Sequence, residues 1–291
     1  MTPSSRPPLL LSHRQQDSHK GDYGRVLLVG GSRGMAGSIS LSAIAAMRAG
    51  AGLVSVMVPD RCLETVAGFD PCLMTIAAPD HATGQFDPSA MSLLETHAAR
   101  ASAMGIGPGM GTGAGSIALV TLACCLTNVP RVFDADALNV LAQSSDEYQI
   151  AGPAVLTPHP GEMQRLSGVS ASDREAQVEA AVSLAKALGT VILLKGTRTL
   201  VTDGQERWFN DNGNPGMAKG GSGDCLTGII TSLLAQGLSP YPAAKLGAYL
   251  HGLAGDLAAQ AVGQAGMLPT DLIRHLPAAM AATTDDFPAG S

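Results

Sequence analysis

Seven short runs of apolar, β-favouring residues alternate with longer small-residue segments of helical period, and this alternation narrows the chain to one class of fold. The runs are Arg25–Val29, Leu53–Val58, Leu73–Ile76, Ala101–Ile106, Arg131–Phe133, Ala154–Leu156 and Thr190–Leu194. Near-continuous apolar strands belong to parallel sheets covered on both faces. Helices are predicted at Ser38–Ala49, Gly113–Leu126, Asp173–Leu188, Ser222–Gln236 and Pro242–Val262. Together they predict an α/β fold, a mostly parallel central sheet with helices on both faces. After Lys195 the pattern changes to a hairpin, Thr199–Thr202 and Arg207–Phe209 around Asp203-Gly204, and helices then dominate to about Pro277. No repeat or Pro/Ser-rich linker divides the middle of the chain. A single domain is expected over 21–280, after an N-terminal extension 1–20 and before a tail 281–291 expected to be disordered, fraying from Thr283.

Composition removes other classes. Of 291 residues 45% are apolar and only 14% charged, which excludes disorder over most of the length. The net charge of −6 argues against nucleic acid or an anionic membrane as partner. No apolar run reaches the roughly 18 residues of a membrane span, and Leu9–Leu11 is too short for a secretory core, so a cytoplasmic location is expected. Cysteines 62, 72, 124, 125 and 225 show no C-x-x-C spacing; Cys124 and Cys125 read as buried thiols, and no motif for a metal is present.

The chain has 35 glycines, and 16 of them fall in three stretches, 30–37, 105–115 and 213–228, each after an apolar run or before a helix. Crevices of open α/β sheets lie at the carboxyl ends of strands, where glycines let backbone amides approach a ligand and a helix N-terminus favours an anion. A tight turn without a ligand is the plain alternative for any one of them. The first, Gly30-Gly-Ser-Arg-Gly-Met-Ala-Gly37, lacks both the G-x-G-x-x-G spacing and a P-loop lysine, which disfavours a Rossmann dehydrogenase even with Asp60 after the second strand.

The third stretch is more informative. Gly220-Gly-Ser-Gly223 runs into Asp224 and the apolar helix that follows, a turn that aims several amides at a transferring phosphoryl group. Asp224 is placed to accept a proton from an attacking hydroxyl. It is equally placed as a helix-start carboxylate worth about 0.3–1 kcal/mol through the dipole. Two further segments favour the first role: Lys195 ends a strand before a tight turn suited to a nucleotide's phosphates or ribose, and His159 is held between Pro158 and Pro160. His13, His19, His81, His97, His251 and His275 have no such context and read as structural or solvated. Lys219 reads either as added charge beside phosphates or as a solvated lysine. Cys225, at a helix start, reads as an oxidisable thiol or a small buried residue.

In order along the chain, Gly30-Gly31, Gly107-Pro-Gly-Met-Gly111, Asp134-Ala-Asp-Ala-Leu-Asn139, Thr157-Pro-His-Pro-Gly-Glu162, Lys195-Gly-Thr-Arg-Thr199, Gly213-Asn-Pro-Gly-Met217 and Gly221-Ser-Gly-Asp224 resemble the ADP-dependent NAD(P)H-hydrate dehydratases. The resemblance runs from about Gly21 to Leu276. It implies a three-layer ribokinase-like fold. It also implies a repair reaction in which (6S)-hydrated NADH or NADPH plus ADP gives NAD(P)H, AMP and phosphate. Hydroxide leaves poorly, whereas a phosphorylated C6 hydroxyl departs with help from the ring nitrogen lone pair. Asp224 would deprotonate that hydroxyl.

The resemblance assigns Lys195, Gly196, Thr197, Arg198, Thr199 and Gly223 to the AMP portion, and Ala43, Gly109, His159 and Asp224 to the hydrated dinucleotide. The anion loop would be Gly220, Gly221, Ser222 and Gly223. Asp136, Asn139 and Lys219 are secondary candidates, the first two for the crevice wall or for Mg²⁺ ordering, with a helix-turn hydrogen bond the plain alternative for Asn139. ADP is the expected co-substrate, Mg²⁺ the expected ion, and a homotetramer the expected assembly. Many relatives carry an epimerase domain ahead of this one; with about 20 residues before the first strand, that activity is expected from another chain. The rival readings are a kinase of the same fold acting on a hydroxymethylpyrimidine or hydroxyethylthiazole alcohol, and a nucleotide sensor without turnover.

Overall fold

A computed structural model describes residues 6–143 and 149–284. One nine-stranded sheet runs in the order β3-β2-β1-β4-β5-β6-β7-β8-β9. The strands are β1 (Arg25–Val29), β2 (Leu53–Pro59), β3 (Met74–Ala78), β4 (Ala103–Ile106), β5 (Arg131–Phe133), β6 (Ala154–Leu156), β7 (Val191–Leu194), β8 (Thr199–Thr202) and β9 (Arg207–Asn210). β1 to β7 are parallel, with Val29 paired to Met57 on one side and Ile106 on the other. β8 and β9 are the expected antiparallel hairpin.

Successive side chains of a strand point to opposite faces, so β1 feeds two cores. Val26 and Leu28 pack under α1 (Ala36–Arg48), α8 (Ser222–Ala235), α9 (Pro240–Val262) and α10 (Pro269–Ala281). Leu27 and Val29 pack under α3 (Met91–Ala98), α4 (Ala114–Cys125), α5 (Asp136–Gln143) and α7 (Arg174–Leu188). These layers are the expected α/β sandwich. The two remaining helices are short, α2 (Leu63–Ala67) and α6 (Pro160–Ser167). No helix among the described residues is long and apolar enough to cross a membrane.

Several expectations shift. β3 and β4 each start later in the chain than their apolar runs, because Leu73, Ala101 and Ser102 belong to the turns that lead in. The eight-residue helices α3, α5 and α6 carry too few turns to show a period, and α10 holds Pro277 inside it. Cys124 is buried but Cys125 is exposed, since consecutive helix positions point about 100° apart. Of the expected tail, 285–291 lies outside the described residues; Thr283 is buried, and its carbonyl accepts a hydrogen bond from the Leu11 amide at 2.8 Å.

α1 and α8 approach closely enough that a Cβ on Gly228 would fall on the Ser42 carbonyl. Ser42 also donates to the Asp224 carbonyl at 2.8 Å, which ties the start of α8 to α1. Alanine normally favours a helix over glycine by about 1 kcal/mol. Here overpacking reverses the sign: G228A should lower the unfolding free energy by about 1–3 kcal/mol in urea titration, and a gain would contradict the close approach.

Candidate active site

Three strand ends and one helix start meet at the carboxyl edge of the sheet. Around them lies a cavity of about 890 Å³, lined by Asp134, Ala135, His159, Pro160 and Glu162, by Lys195, Gly196, Thr197 and Thr199, by residues 210, 212–215 and 217–224, and by α9. Charged Lys195 sits where β7 ends. Its Nζ donates to Asp134 Oδ1 at 2.8 Å and lies 3.7 Å from Glu162 Oε2. Asp134, just past β5, also accepts from Thr227 Oγ1 of α8 at 2.6 Å. Burial works against the charge on both ions. The mutual attraction of Lys195 and Asp134 outweighs it, holding Asp134 below the usual carboxylate range and Lys195 above its own.

Glu162 responds differently. Burial, reinforced by the charge of Asp134, pushes its carboxyl up to about 7 against the pull of Lys195. It also belongs to a reciprocal helix cap: Glu162 Oε2 accepts from the His159 amide at 2.7 Å, while His159 Nδ1 accepts from the Gly161 and Glu162 amides at 3.0 and 3.3 Å. Pro160 in the first turn completes the helix start, so the histidine held between two prolines is the cap of α6. His159 is therefore half-exposed, with Nδ1 unprotonated; burial, then Lys195 and Arg165, keep its pKa below the ordinary value.

Gly220–Gly223 forms the expected loop into α8. Gly221 has φ +95°, and a Cβ there would meet Leu41 at 2.5 Å; above Gly220 is open space. No side chain caps α8, so the positive end of the helix faces the cavity. Asp224 in that first turn has its carboxyl pushed up to about 6, by burial first and by the charge of Asp134, against a Ser38 hydrogen bond and Lys195. A carboxyl tuned in this way is suited to accept a proton near neutral pH.

The other assigned residues divide. Gly196, Thr197 and Thr199 line the cavity on a turn whose Lys195 and Arg198 carbonyls accept from Arg174 at 3.1 and 2.7 Å. Arg198 itself turns away, its Nε 3.1 Å from Asp211 and its guanidinium 5.0 Å from the Phe209 ring centre. Lys219 lines the rim, but its Nζ donates to the Ala265 carbonyl at 2.9 Å. Ala43 is fully buried in the core beneath α8 and stays outside the cavity. Gly109 is buried in a loop that accepts from Ser32 Oγ at 2.8 Å.

Asp136 accepts from the Gly111 amide at 2.8 Å, and Asn139 bridges Asp136 and Arg165 at 3.2 and 3.0 Å, so both brace the second glycine loop and α6. Asp60 opens a turn after β2, away from the cavity. Cys225 is buried and its thiol is pushed up by burial, the reverse of an activated cysteine.

Sequence reading missed Asp134, Glu162, Arg174 and His251. The first two stand in the motif strings already quoted, Asp134 directly after β5 and Glu162 in the first turn of the helix that follows β6, a usable signal. His251 of α9 places Nε2 2.9 Å from the Ser222 carbonyl, and burial first brings its pKa down to about 4. Among the described residues, no three or more His, Cys, Asp or Glu side chains come together in an arrangement that could hold a metal.

Because Glu162 is raised in the folded state, the native chain holds a proton that the unfolded chain releases. Stability should then fall as pH rises from about 4.5 to about 7, with Asp224 adding a fall of the same sign from about 3.8 to about 6. Urea midpoints of E162Q should flatten over the upper part of this range; an unchanged slope would contradict the assignment.

Comparison with known proteins places the chain in a family. A family model described as NAD(P)H-hydrate dehydratase matches residues 26–278. A bifunctional NAD(P)H-hydrate repair enzyme of Moorella thermoacetica is 46% identical over 273 residues, 92% of this chain and 51% of that protein. An ADP-dependent (S)-NAD(P)H-hydrate dehydratase of Neisseria meningitidis is 38% identical, covering 92% of this chain and 88% of its own. The crystal structure of an ADP/ATP-dependent NAD(P)H-hydrate dehydratase from Bacillus subtilis, co-crystallised with ATP and Mg²⁺, superposes with a TM-score of 0.80 at 30% identity, over 94% of each chain. The chain thus spans about half the length of the bifunctional relatives it matches. With its ribokinase-like three-layer fold and this match over nearly its whole length, the chain belongs to the NAD(P)H-hydrate dehydratase family.

Proposed function

We propose that this chain, acting through one domain over 21–280, dehydrates (6S)-hydrated NADH or NADPH at the expense of ADP, releasing AMP and phosphate. The observation that carries the reading is Asp224, a carboxyl raised to about 6 in the uncapped first turn of α8, facing a cavity of about 890 Å³. The Lys195–Thr199 turn on the opposite wall is the proposed seat of the nucleotide, with Gly223 close to Lys195 beneath it. His159 and Asp224 are the proposed contacts to the hydrate, and Gly109 and Ala43 would act from behind, by shaping the loops that face it.

The C6 hydroxyl attacks the β-phosphorus of ADP while Asp224 accepts its proton. The bond to AMP breaks, and the amides of Gly220–Gly223 stabilise the charge on the moving phosphoryl group. The C6–O bond then breaks with its electron pair leaving on phosphate, assisted by the ring nitrogen lone pair. Loss of a neighbouring carbon-bound proton restores the double bond.

Asp134 and Glu162 are already engaged by Lys195, so the carboxylates at the cavity floor offer no open pair for a resident metal. Magnesium ions bind through few protein carboxylates and mostly through substrate phosphates, which suits an ion that enters with the nucleotide. A cytoplasmic homotetramer, supplied with the (6S) epimer by an epimerase activity, is the proposed setting. The relatives' names favour dehydration over release of a stable phosphate ester by a kinase.

Incubated with hydrated NADH, ADP and Mg²⁺, the protein should restore dihydropyridine absorbance with equal amounts of AMP and phosphate. A phosphorylated alcohol accumulating instead would reject the reading. D224N should lose roughly 100–10,000-fold in kcat while still binding ADP. The wild-type kcat should rise with pH through about 6 as Asp224 ionises, and a profile flat there would reject Asp224 as the base.

A further inference from the structure

We infer that one face of α9, carried by His251-Gly-Leu-Ala-Gly-Asp256, is the positioning platform that holds both the anion loop and the 213–217 wall of the nucleotide cavity. The inference rests on the nucleotide reading above and adds residues that act through the loops they hold. At 100° per residue, Ala248, His251, Gly252, Gly255 and Asp256 fall within one side of the helix.

Each makes a different hold. The Ser222 carbonyl can only accept, so His251 Nε2, 2.9 Å away, carries the proton and donates into the loop that precedes Asp224. Asp256 uses both oxygens on the 213–217 segment: Oδ2 accepts from the Gly213 amide at 2.9 Å and Oδ1 from Asn214 Nδ2 at 2.9 Å. The Gly255 carbonyl accepts the same Asn214 amide at 3.0 Å, and the Ala248 carbonyl accepts Asn210 Nδ2, at the end of β9, at 3.1 Å.

The glycines are needed for closeness. A Cβ on Gly252 would meet the Asn212 carbonyl at 2.7 Å, and one on Gly255 would strike the Met217 sulfur. The segment therefore lies flat on α9 and is held at both ends. Loss of the Asp256 hold should loosen the 213–217 wall alone, whereas loss of the His251 hold should also disturb the turn that carries Asp224.

The test is ADP titration by calorimetry, joined to steady-state kinetics, on the full chain. D256A should weaken ADP binding and raise its KM by roughly tenfold or more, with kcat nearly kept at saturating ADP. H251A should in addition lower kcat. D256N keeps one acceptor and should fall between D256A and the wild type; H251Q keeps a donor toward Ser222 and should recover most of the loss. These two milder variants carry the test if an alanine variant fails to fold. K245Q, on the same helix but packed on Tyr241, should bind ADP as the wild type does.

Unchanged ADP affinity in both alanine variants would overturn the inference. So would identical KM and kcat losses in both, with no recovery in D256N and H251Q, which is what a merely structural role predicts. A wild-type protein that binds no ADP would remove the nucleotide reading itself, and the inference with it.

Discussion

The ammonium of Lys195 is the contact on which the site depends. It joins the ends of three adjacent parallel strands, since Asp134 follows β5, Glu162 lies in the helix after β6, and Lys195 follows β7. Thr227 extends the same cluster into α8. Removing one partner of a buried pair leaves the other uncompensated, at about 3–5 kcal/mol. The cluster therefore fixes strand ends and helix start relative to one another. It also tunes the site, because the buried Asp134 carboxylate raises both Glu162 and Asp224.

Around that cluster the glycines act as spacing elements. At the topological switch point between β1 and β4, where ligands of open α/β sheets bind, the Gly31 amide donates to the Pro108 carbonyl at 2.8 Å. This joins the first two glycine loops into one wall. The third loop faces it across Asp224, whose carboxylate is engaged by Ser38 of α1. One side of Asp224 thus looks toward the switch point and the other toward the Lys195 cavity, which suits a group that must work between two substrates.

Much of this was legible in the sequence, for identifiable reasons. Strands buried on both faces show as unbroken apolar runs, so β1, β2, β5, β6 and β7 could be read off nearly residue by residue, and the hairpin followed from Asp203-Gly204. Asp224 and Lys195 were legible because each adjoins a glycine turn at an element boundary. The missing parts depend on distant partners. Lys195 meets Asp134 across 61 residues, Gly213 meets Asp256 across 43, and Ser222 meets His251 across 29. Nothing local to Asp256 or His251 announces those contacts. Other polar residues inside informative motifs are engaged elsewhere: Arg198 pairs with Asp211, and Asn139 makes the helix-turn hydrogen bond that was its plain alternative, to Asp136, and accepts from Arg165, so neither lines the cavity.

The central claim is that phosphorylation precedes loss of the hydroxyl, so the oxygen on C6 must leave with phosphorus. Hydrate prepared with a heavy-oxygen label in its C6 hydroxyl, turned over with unlabelled ADP and analysed by mass spectrometry, tests this directly. The account predicts one heavy oxygen in every phosphate released and none in solvent water. Label recovered in water, with unlabelled phosphate, would mean that the hydroxyl leaves directly and that Asp224 does not deprotonate a nucleophile.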